Sequence, residues 1–275
     1  MSAGMTVRAV IFDWSGTVVD FGSRAPAAAF VEVFREFGVE LSEAEARGPM
    51  GLPKWDHLRA LGDLPRIGAA WRAAHGRAFE NADVDRLHEV FEPLTARVAA
   101  RHAALVPGVV EAVRELRRRG VKIGSTTGYT RPIMERVGPL AAEHGFAPDN
   151  LVCAGDLPAG RPTPLMMYRC FVDLAVWPAR AVVKVDDTAP GLVEATAAGS
   201  WAVGVAMSGN AVGLAPEELA RLGAGEQARL RDAATDALRA AGAHYVIDTV
   251  ADLLPVVDAI DARLAAGESP PAPPP

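Results

Sequence analysis

From Leu105 onward, short apolar runs alternate with stretches of helical periodicity, and few architectures accept that pattern. Strands are predicted at 7–12, 121–124, 151–154, 181–185, 201–205 and 245–247, each followed by helical sequence. A helix over 109–119 repeats Val109, Val113 and Leu116 along one face, and Gly120 stands where a C-cap belongs. The next, over 131–144, carries Met134, Val137 and Leu140. Strands that are apolar on both faces need helices on both faces, which points to a doubly wound parallel α/β sheet with a Rossmannoid core.

About 80 residues separate the first strand from the next alternating unit. That insert, 22–103, contains no strand pattern: Phe30, Val33, Phe34 and Phe37 mark one helix face, and Ser42 with Glu45 forms a capping-box pattern. It reads as an α-helical cap domain placed over the carboxyl ends of the strands, where doubly wound sheets bind ligands. The expected division is a core of 1–21 with 104–265, a cap of 22–103, and a disordered Pro-rich tail of 266–275, since GESPPAPPP cannot continue a helix.

Composition narrows the function classes. Half of the residues are hydrophobic and 23% are charged, with a net charge of −6, so a nucleic-acid surface is not expected, although an anion pocket needs only local positive charge. No run of the length that spans a bilayer occurs, and the N-terminus lacks the apolar core of a signal peptide. Cys153 and Cys170 sit in apolar segments and read as two reduced core thiols. The expectation is a cytoplasmic protein with no membrane or nucleic-acid partner.

Four segments fall at successive strand ends. In FDWSGT, Asp13 ends a strand and could attack phosphorus, or merely cap a helix. GSTTGYT, 124–130, offers hydroxyl and backbone N–H donors to an anion, or is a polar turn. Arg161, in GRPTP, could neutralise phosphate charge or remain a solvated loop residue. Asp186 and Asp187 end a buried strand in VVKVDDT; two adjacent carboxylates there want a cation, and with Asp13 they make an oxygen-rich site suited to Mg²⁺. The buried-strand residue Lys184 reads as structural. The coincidence of all four favours a Mg²⁺-dependent enzyme that forms an aspartyl phosphate.

The insert adds Lys54, in a Gly/Pro-punctuated turn beside Met50, Trp55 and His57. Desolvation there would depress its pKa and let a neutral amine condense with a carbonyl, although the local sequence alone favours an ordinary surface lysine.

The stretches FDWSGTVVDFGSRAP, MGLPKWDHLRAL, PGVVEAVRELRRRGVKIGSTTGYTR, AGRPTPLMMYRC and VKVDDTAPGLVEATAAG resemble the phosphonoacetaldehyde hydrolase (phosphonatase) family of the haloacid dehalogenase superfamily. The resemblance runs from Val7 to about Leu264, and it implies an HAD-like core with a helical cap and a homodimer. It assigns the nucleophile to Asp13 and the Schiff-base lysine to Lys54. Metal ligands fall on Asp13, the Ser15 backbone carbonyl and Asp187, with Asp186 alongside. Phosphate contacts fall on Thr127, Gly128 and Arg161, and Met50, His57 and Tyr129 match residues around the lysine. Two positions depart from the family pattern: Ser15 replaces the usual alanine, and Gly191 stands where some members carry a second aspartate.

The implied reaction is hydrolysis of the P–C bond of a small phosphonate, phosphonoacetaldehyde, to acetaldehyde and phosphate. A phosphate ester expels an alkoxide and benefits from an acid two residues after the nucleophile; a P–C bond needs an electron sink instead, so Ser15 at that position fits. The alternative is an HAD-type phosphate-ester phosphatase or a dehalogenase, which would not need Lys54. A binding protein without catalysis is the third reading.

Overall fold

The computed structural model describes residues 5–49 and 54–272. The chain forms two compact units, one built from the segments up to Arg24 and from Ala103 onward, the other from Ala25–His102.

The first unit opens with β1 (Ala9–Phe12), all four residues of which are buried. The chain then supplies the helical insert: α1 (Arg24–Glu36), α2 (Glu43–Arg47), α3 (Lys54–Gly62), α4 (Pro65–His75) and α5 (Asn81–Arg101). It returns through α6 (Val109–Arg118), β2 (Lys122–Thr130), α7 (Arg131–Glu143), β3 (Val152–Ala154) and α8 (Leu165–Asp173). The remainder is β4 (Val182–Asp186), α9 (Ala189–Ala197), β5 (Trp201–Val205), α10 (Pro216–Arg221), α11 (Ala224–Ala240), β6 (Tyr245–Ile247) and α12 (Leu253–Ala265).

The six strands form one parallel sheet in the order β3-β2-β1-β4-β5-β6. The winding reverses beside β1, the chain moving outward to β2 and β3 and then crossing back to β4. This is the place at which a doubly wound sheet opens a crevice beyond its strand ends. Every residue of β4 and β5 is buried, as expected for strands covered on both faces. The fold is therefore the doubly wound parallel α/β sheet expected from the sequence, with an inserted helical unit.

Two local expectations change. The polar stretch 124–130 is not a turn: β2 runs through it to Thr130, and its pairing with β3 shifts register between Thr127 and Thr130. β1 pairs with Gly124 and Ser125 and β3 with Thr126, Thr127 and Thr130, so the small polar side chains ride on a strand. Lys54 is the first residue of α3, not a turn residue.

The second unit has its own apolar centre, including Phe30, Val33, Phe34, Leu58, Leu61, Ile67, Trp71 and Leu87. Its capping box is formed: Ser42 Oγ accepts from Glu45 N at 3.2 Å, while Glu45 Oε2 accepts from Ser42 N at 2.9 Å. Arg66 also binds Glu45, and these bonds hold that carboxyl down at about 2. Cys153 and Cys170 are free and buried. No helix among the described residues is long and apolar enough to cross a membrane.

Candidate active site

Asp13 follows β1 directly, and its N–H still donates to Val185 O of β4 at 2.9 Å. The backbone is thus fixed up to the residue whose carboxylate leaves the sheet edge. Asp186 is the last residue of β4 and Asp187 the next. Ligand oxygens of Asp13, Asp186 and Asp187 lie within 4.8 Å of one another, and all three residues are buried.

Gly16 makes this convergence sterically possible. Its φ is +82°, and an added Cβ would lie 2.3 Å from Asp187 Oδ2. On the other side, Asn210 N donates to Asp187 Oδ2 at 2.7 Å.

The two neighbouring aspartates have different partners. Asp186 Oδ1 accepts from Thr188 N at 3.0 Å and from Thr188 Oγ1 at 2.7 Å. Its Oδ2 lies 3.1 Å from Lys184 Nζ and 3.3 Å from Arg161 Nη1. Burial opposes ionisation of Asp186, but Arg161, Lys184 and the Thr188 bonds outweigh it and hold the pKa below the usual carboxylate value. At Asp187 the bond from Asn210 N is outweighed. Burial, then Asp13 and Asp186, push it well above the ordinary value. Asp13 is raised to about 6, by burial and by Asp186, against the pull of Arg161 and Lys184.

These directions form a test for a metal. Four buried carboxylates, Asp13, Asp186, Asp187 and Glu194, share two cations, Arg161 and Lys184. Two negative charges are left in a low-dielectric pocket, an arrangement that favours a divalent ion. The cluster offers carboxylate oxygen only, so the residues present fit a hard cation such as Mg²⁺.

Arg161 leaves the loop between β3 and α8 and reaches Asp13 Oδ1 with Nη2 at 2.8 Å. Burial works against its charge, but Asp186, Asp13 and Glu194 keep the guanidinium ionised. Thr127 is buried on β2, and its hydroxyl accepts from Tyr129 N at 3.1 Å, leaving its own proton to donate. Gly128 is exposed beside it. Tyr129 is buried; burial, then Asp20, raises its phenol well above the usual value, so it stays protonated.

Ser15 does not offer a proton to the site. Its Oγ donates to Asp20 Oδ2 at 2.6 Å and lies 3.2 Å from Ser23 Oγ.

In the helical unit, Lys54 Nζ lies 5.5 Å from the Phe30 ring centroid and 5.9 Å from that of Phe91. The residue keeps solvent access, yet its ammonium is crowded by protein, and this burial lowers its pKa. Its position at the start of α3, the positive end of the helix dipole, acts in the same direction. His57, three residues on, is fully buried and stacks on Phe30 at 3.7 Å between centroids. Burial pushes its pKa down to about 4, so the ring is neutral near pH 7. Nε2 lies 2.8 Å from Ala46 O and must carry the proton, which leaves Nδ1 bare and without a hydrogen-bond partner. Met50 lies outside the described residues.

A family model described as haloacid dehalogenase-like hydrolase matches residues 7–199. A phosphonoacetaldehyde hydrolase of Paraburkholderia phytofirmans is 53% identical over 264 residues, covering 96% of this chain and 99% of that protein. One of Klebsiella pneumoniae is 48% identical over 96% of this chain and 99% of its own length. The crystal structure of a phosphonoacetaldehyde hydrolase-like protein from Oleispira antarctica superposes with a TM-score of 0.88 at 42% identity, covering 98% of this chain and 99% of that one. The chain belongs to the phosphonoacetaldehyde hydrolase family, within the haloacid dehalogenase-like hydrolases.

Three residues that meet the site, Asp20, Asn210 and Glu194, are not singled out by the sequence, while Thr126 lies in the stretch 124–130 expected to offer donors. Asp20 receives the Ser15 hydroxyl, Asn210 supports Asp187, and Thr126 and Glu194 meet Arg161. Glu194 carried a readable signal. It shares the core-facing side of α9 with Gly191, Leu192 and Ala195, and a charge on an apolar face needs a partner. Asp20 and Asn210 lie in irregular segments where no periodicity marks them.

Proposed function

We propose that this chain hydrolyses the P–C bond of phosphonoacetaldehyde, giving acetaldehyde and phosphate. The observation that carries the proposal is a lysine of lowered pKa in a member of this family whose core site has a nucleophile candidate but no acid two residues on.

The neutral amine of Lys54 adds to the aldehyde and loses water, giving an iminium after protonation. An Asp13 oxygen attacks phosphorus. The P–C bond breaks, its electron pair passing into the iminium to form an enamine, while the new P–O bond makes the aspartyl phosphate. The enamine takes up a proton at carbon, water hydrolyses the iminium, and acetaldehyde leaves. A second water cleaves the aspartyl phosphate, returning the Asp13 carboxylate and phosphate.

Arg161 and the donors of Thr127 and Gly128 hold the phosphoryl group and face the charge that grows on its oxygens. Asp13, Asp187 and the Ser15 carbonyl would hold Mg²⁺, which supplies positive charge at that group; the ties of Asp186 to Arg161, Lys184 and Thr188 make Asp187 the direct ligand of the pair. The bare Nδ1 of neutral His57, one helical turn from Lys54, is a candidate to accept a proton from the lysine adduct. With its hydroxyl committed to Asp20, Ser15 gives no acid catalysis to an ester leaving group, which counts against the phosphatase alternative. The reading includes a cytoplasmic homodimer, checked by light scattering and cell fractionation. A coupled assay for acetaldehyde and phosphate tests the reaction. Equimolar release from phosphonoacetaldehyde supports it, and hydrolysis of phosphate esters without any acetaldehyde release overturns it.

A further inference from the structure

Arg161 lies on a loop, so no helix or strand fixes its guanidinium. It is held instead by Asp186 and Glu194, each at 3.3 Å, and by the carbonyl and hydroxyl of Thr126. Arg161 Nη2 donates to Thr126 O at 2.7 Å and to Thr126 Oγ1 at 3.0 Å, and the same nitrogen touches Asp13 Oδ1 at 2.8 Å. Its two protons are thus shared among three acceptors, two of them on Thr126, so the Thr126 hydroxyl competes for and aims the same nitrogen that meets Asp13.

Thr126 Oγ1 is itself saturated. Lys184 Nζ donates to it at 2.8 Å, and it donates to Glu194 Oε2 at 2.9 Å. Lysine and arginine can only donate, so both lone pairs of the hydroxyl are taken and its one proton is directed to Glu194. Glu194 Oε2 also lies 3.3 Å from Arg161 Nε and 3.8 Å from Lys184 Nζ. Thr126, Lys184 and Glu194 are fully buried, on β2, β4 and α9, so three elements of the core converge on one loop arginine. If stability were all such a network provided, apolar residues of similar volume would serve as well. Here it ends on the atom that touches Asp13.

We infer that Thr126 and Glu194 are positioning residues for phosphoryl transfer. The Glu194 carboxylate orients the Thr126 hydroxyl, and that hydroxyl sets the Arg161 guanidinium against Asp13 and the phosphoryl group. The inference rests on Asp13 as nucleophile, and not on the identity of the group leaving phosphorus.

The test compares Thr126→Val, Thr126→Ser and Glu194→Gln in the full-length protein. Thr126→Val replaces the hydroxyl with a methyl group of similar size, and Thr126→Ser keeps the hydroxyl. With phosphonoacetaldehyde, Thr126→Val and Glu194→Gln should each lose about 100-fold in kcat, the scale of a misplaced transition-state contact, with KM changed by less than about threefold. Thr126→Ser should stay within about threefold of wild type, and the double variant Thr126→Val/Glu194→Gln should be no more than about threefold slower than the worse single variant, because the pair acts as a unit. Borohydride trapping of substrate on Lys54 should be unchanged in all of them. A kcat above a third of wild type in Thr126→Val, or a loss matched by equal losses in trapping and in folded fraction, overturns the inference. If the wild type releases no acetaldehyde, the proposed substrate fails separately. The same variants are then read by labelling of Asp13 with acetyl phosphate, where loss in Thr126→Val with retention in Thr126→Ser supports the positioning role, and equal labelling refutes it.

Discussion

Replacing Gly191 by alanine should damage this protein even though the position is helical. In a helix, Gly→Ala ordinarily stabilises by about 1 kcal/mol. At Gly191 the added Cβ would lie 1.9 Å from Asp186 Oδ2, 2.1 Å from its Cγ and 2.4 Å from Oδ1. Turning the carboxylate about Cβ–Cγ leaves Cγ in contact, so the whole group must leave its place. It then loses the Thr188 bonds at 3.0 and 2.7 Å and the contacts with Lys184 and Arg161 at 3.1 and 3.3 Å. Overpacking of a tight core costs about 1–3 kcal/mol, and disrupting a buried ion pair about 3–5. Even the lower end cancels the propensity gain, and a net loss of about 3 kcal/mol follows, or roughly 6–12 °C in Tm. Differential scanning calorimetry measures it. Gly225→Ala in α11, where nothing lies within 4 Å of the added Cβ, is the control and should be neutral or slightly stabilising. In an Asp186→Gly background the clash is gone, so Gly191→Ala should there cost nothing. A Gly191→Ala protein that melts at or above wild type with full activity would refute the reasoning.

Asp13→Asn keeps the shape of the proposed nucleophile without its charge, and kcat should fall by at least about 10³-fold in steady-state assays. Chelation with EDTA should abolish turnover and Mg²⁺ restore it, with metal content followed by elemental analysis, because a cluster of carboxylate oxygens alone suits Mg²⁺ and not Zn²⁺. The lowered pKa of Lys54 leaves neutral amine available below the usual lysine value of 10.5, so the acid limb of the kcat/KM–pH profile governed by this group should lie below that value. An acid limb near 10.5 would show an unperturbed lysine.

The sheet was legible because its strands are apolar on both faces and short, so that each run announced itself without any knowledge of its partner. The polar stretch 124–130 was harder. Its small hydroxyl residues stay in a strand because β1 pairs with its start and β3 with the rest, which is information carried by distant segments. At the site, residues standing at strand ends (Asp13, Asp186, Asp187) could be located from the strands themselves. The relation between Gly191 and Asp186 could be read only as a departure from a pattern; its physical content is one carboxylate filling the space that a side chain five residues later would need. Asp20 and Asn210 act through loop conformation, with Asp20 at φ +59°, and their partners are fixed by turns that periodicity does not encode.

The central claim, that Lys54 supplies the electron sink in place of an acid, is tested most directly by trapping. Enzyme is treated with phosphonoacetaldehyde and sodium borohydride, digested, and mapped by mass spectrometry. Reduction of the imine gives a stable secondary amine, so the account predicts loss of activity and a phosphonoethyl or ethyl group on the peptide containing Lys54. Lys54→Arg, which keeps the charge but cannot form the imine, should show neither the adduct nor P–C cleavage. An adduct on another lysine, or cleavage by Lys54→Arg at near the wild-type rate, would contradict it.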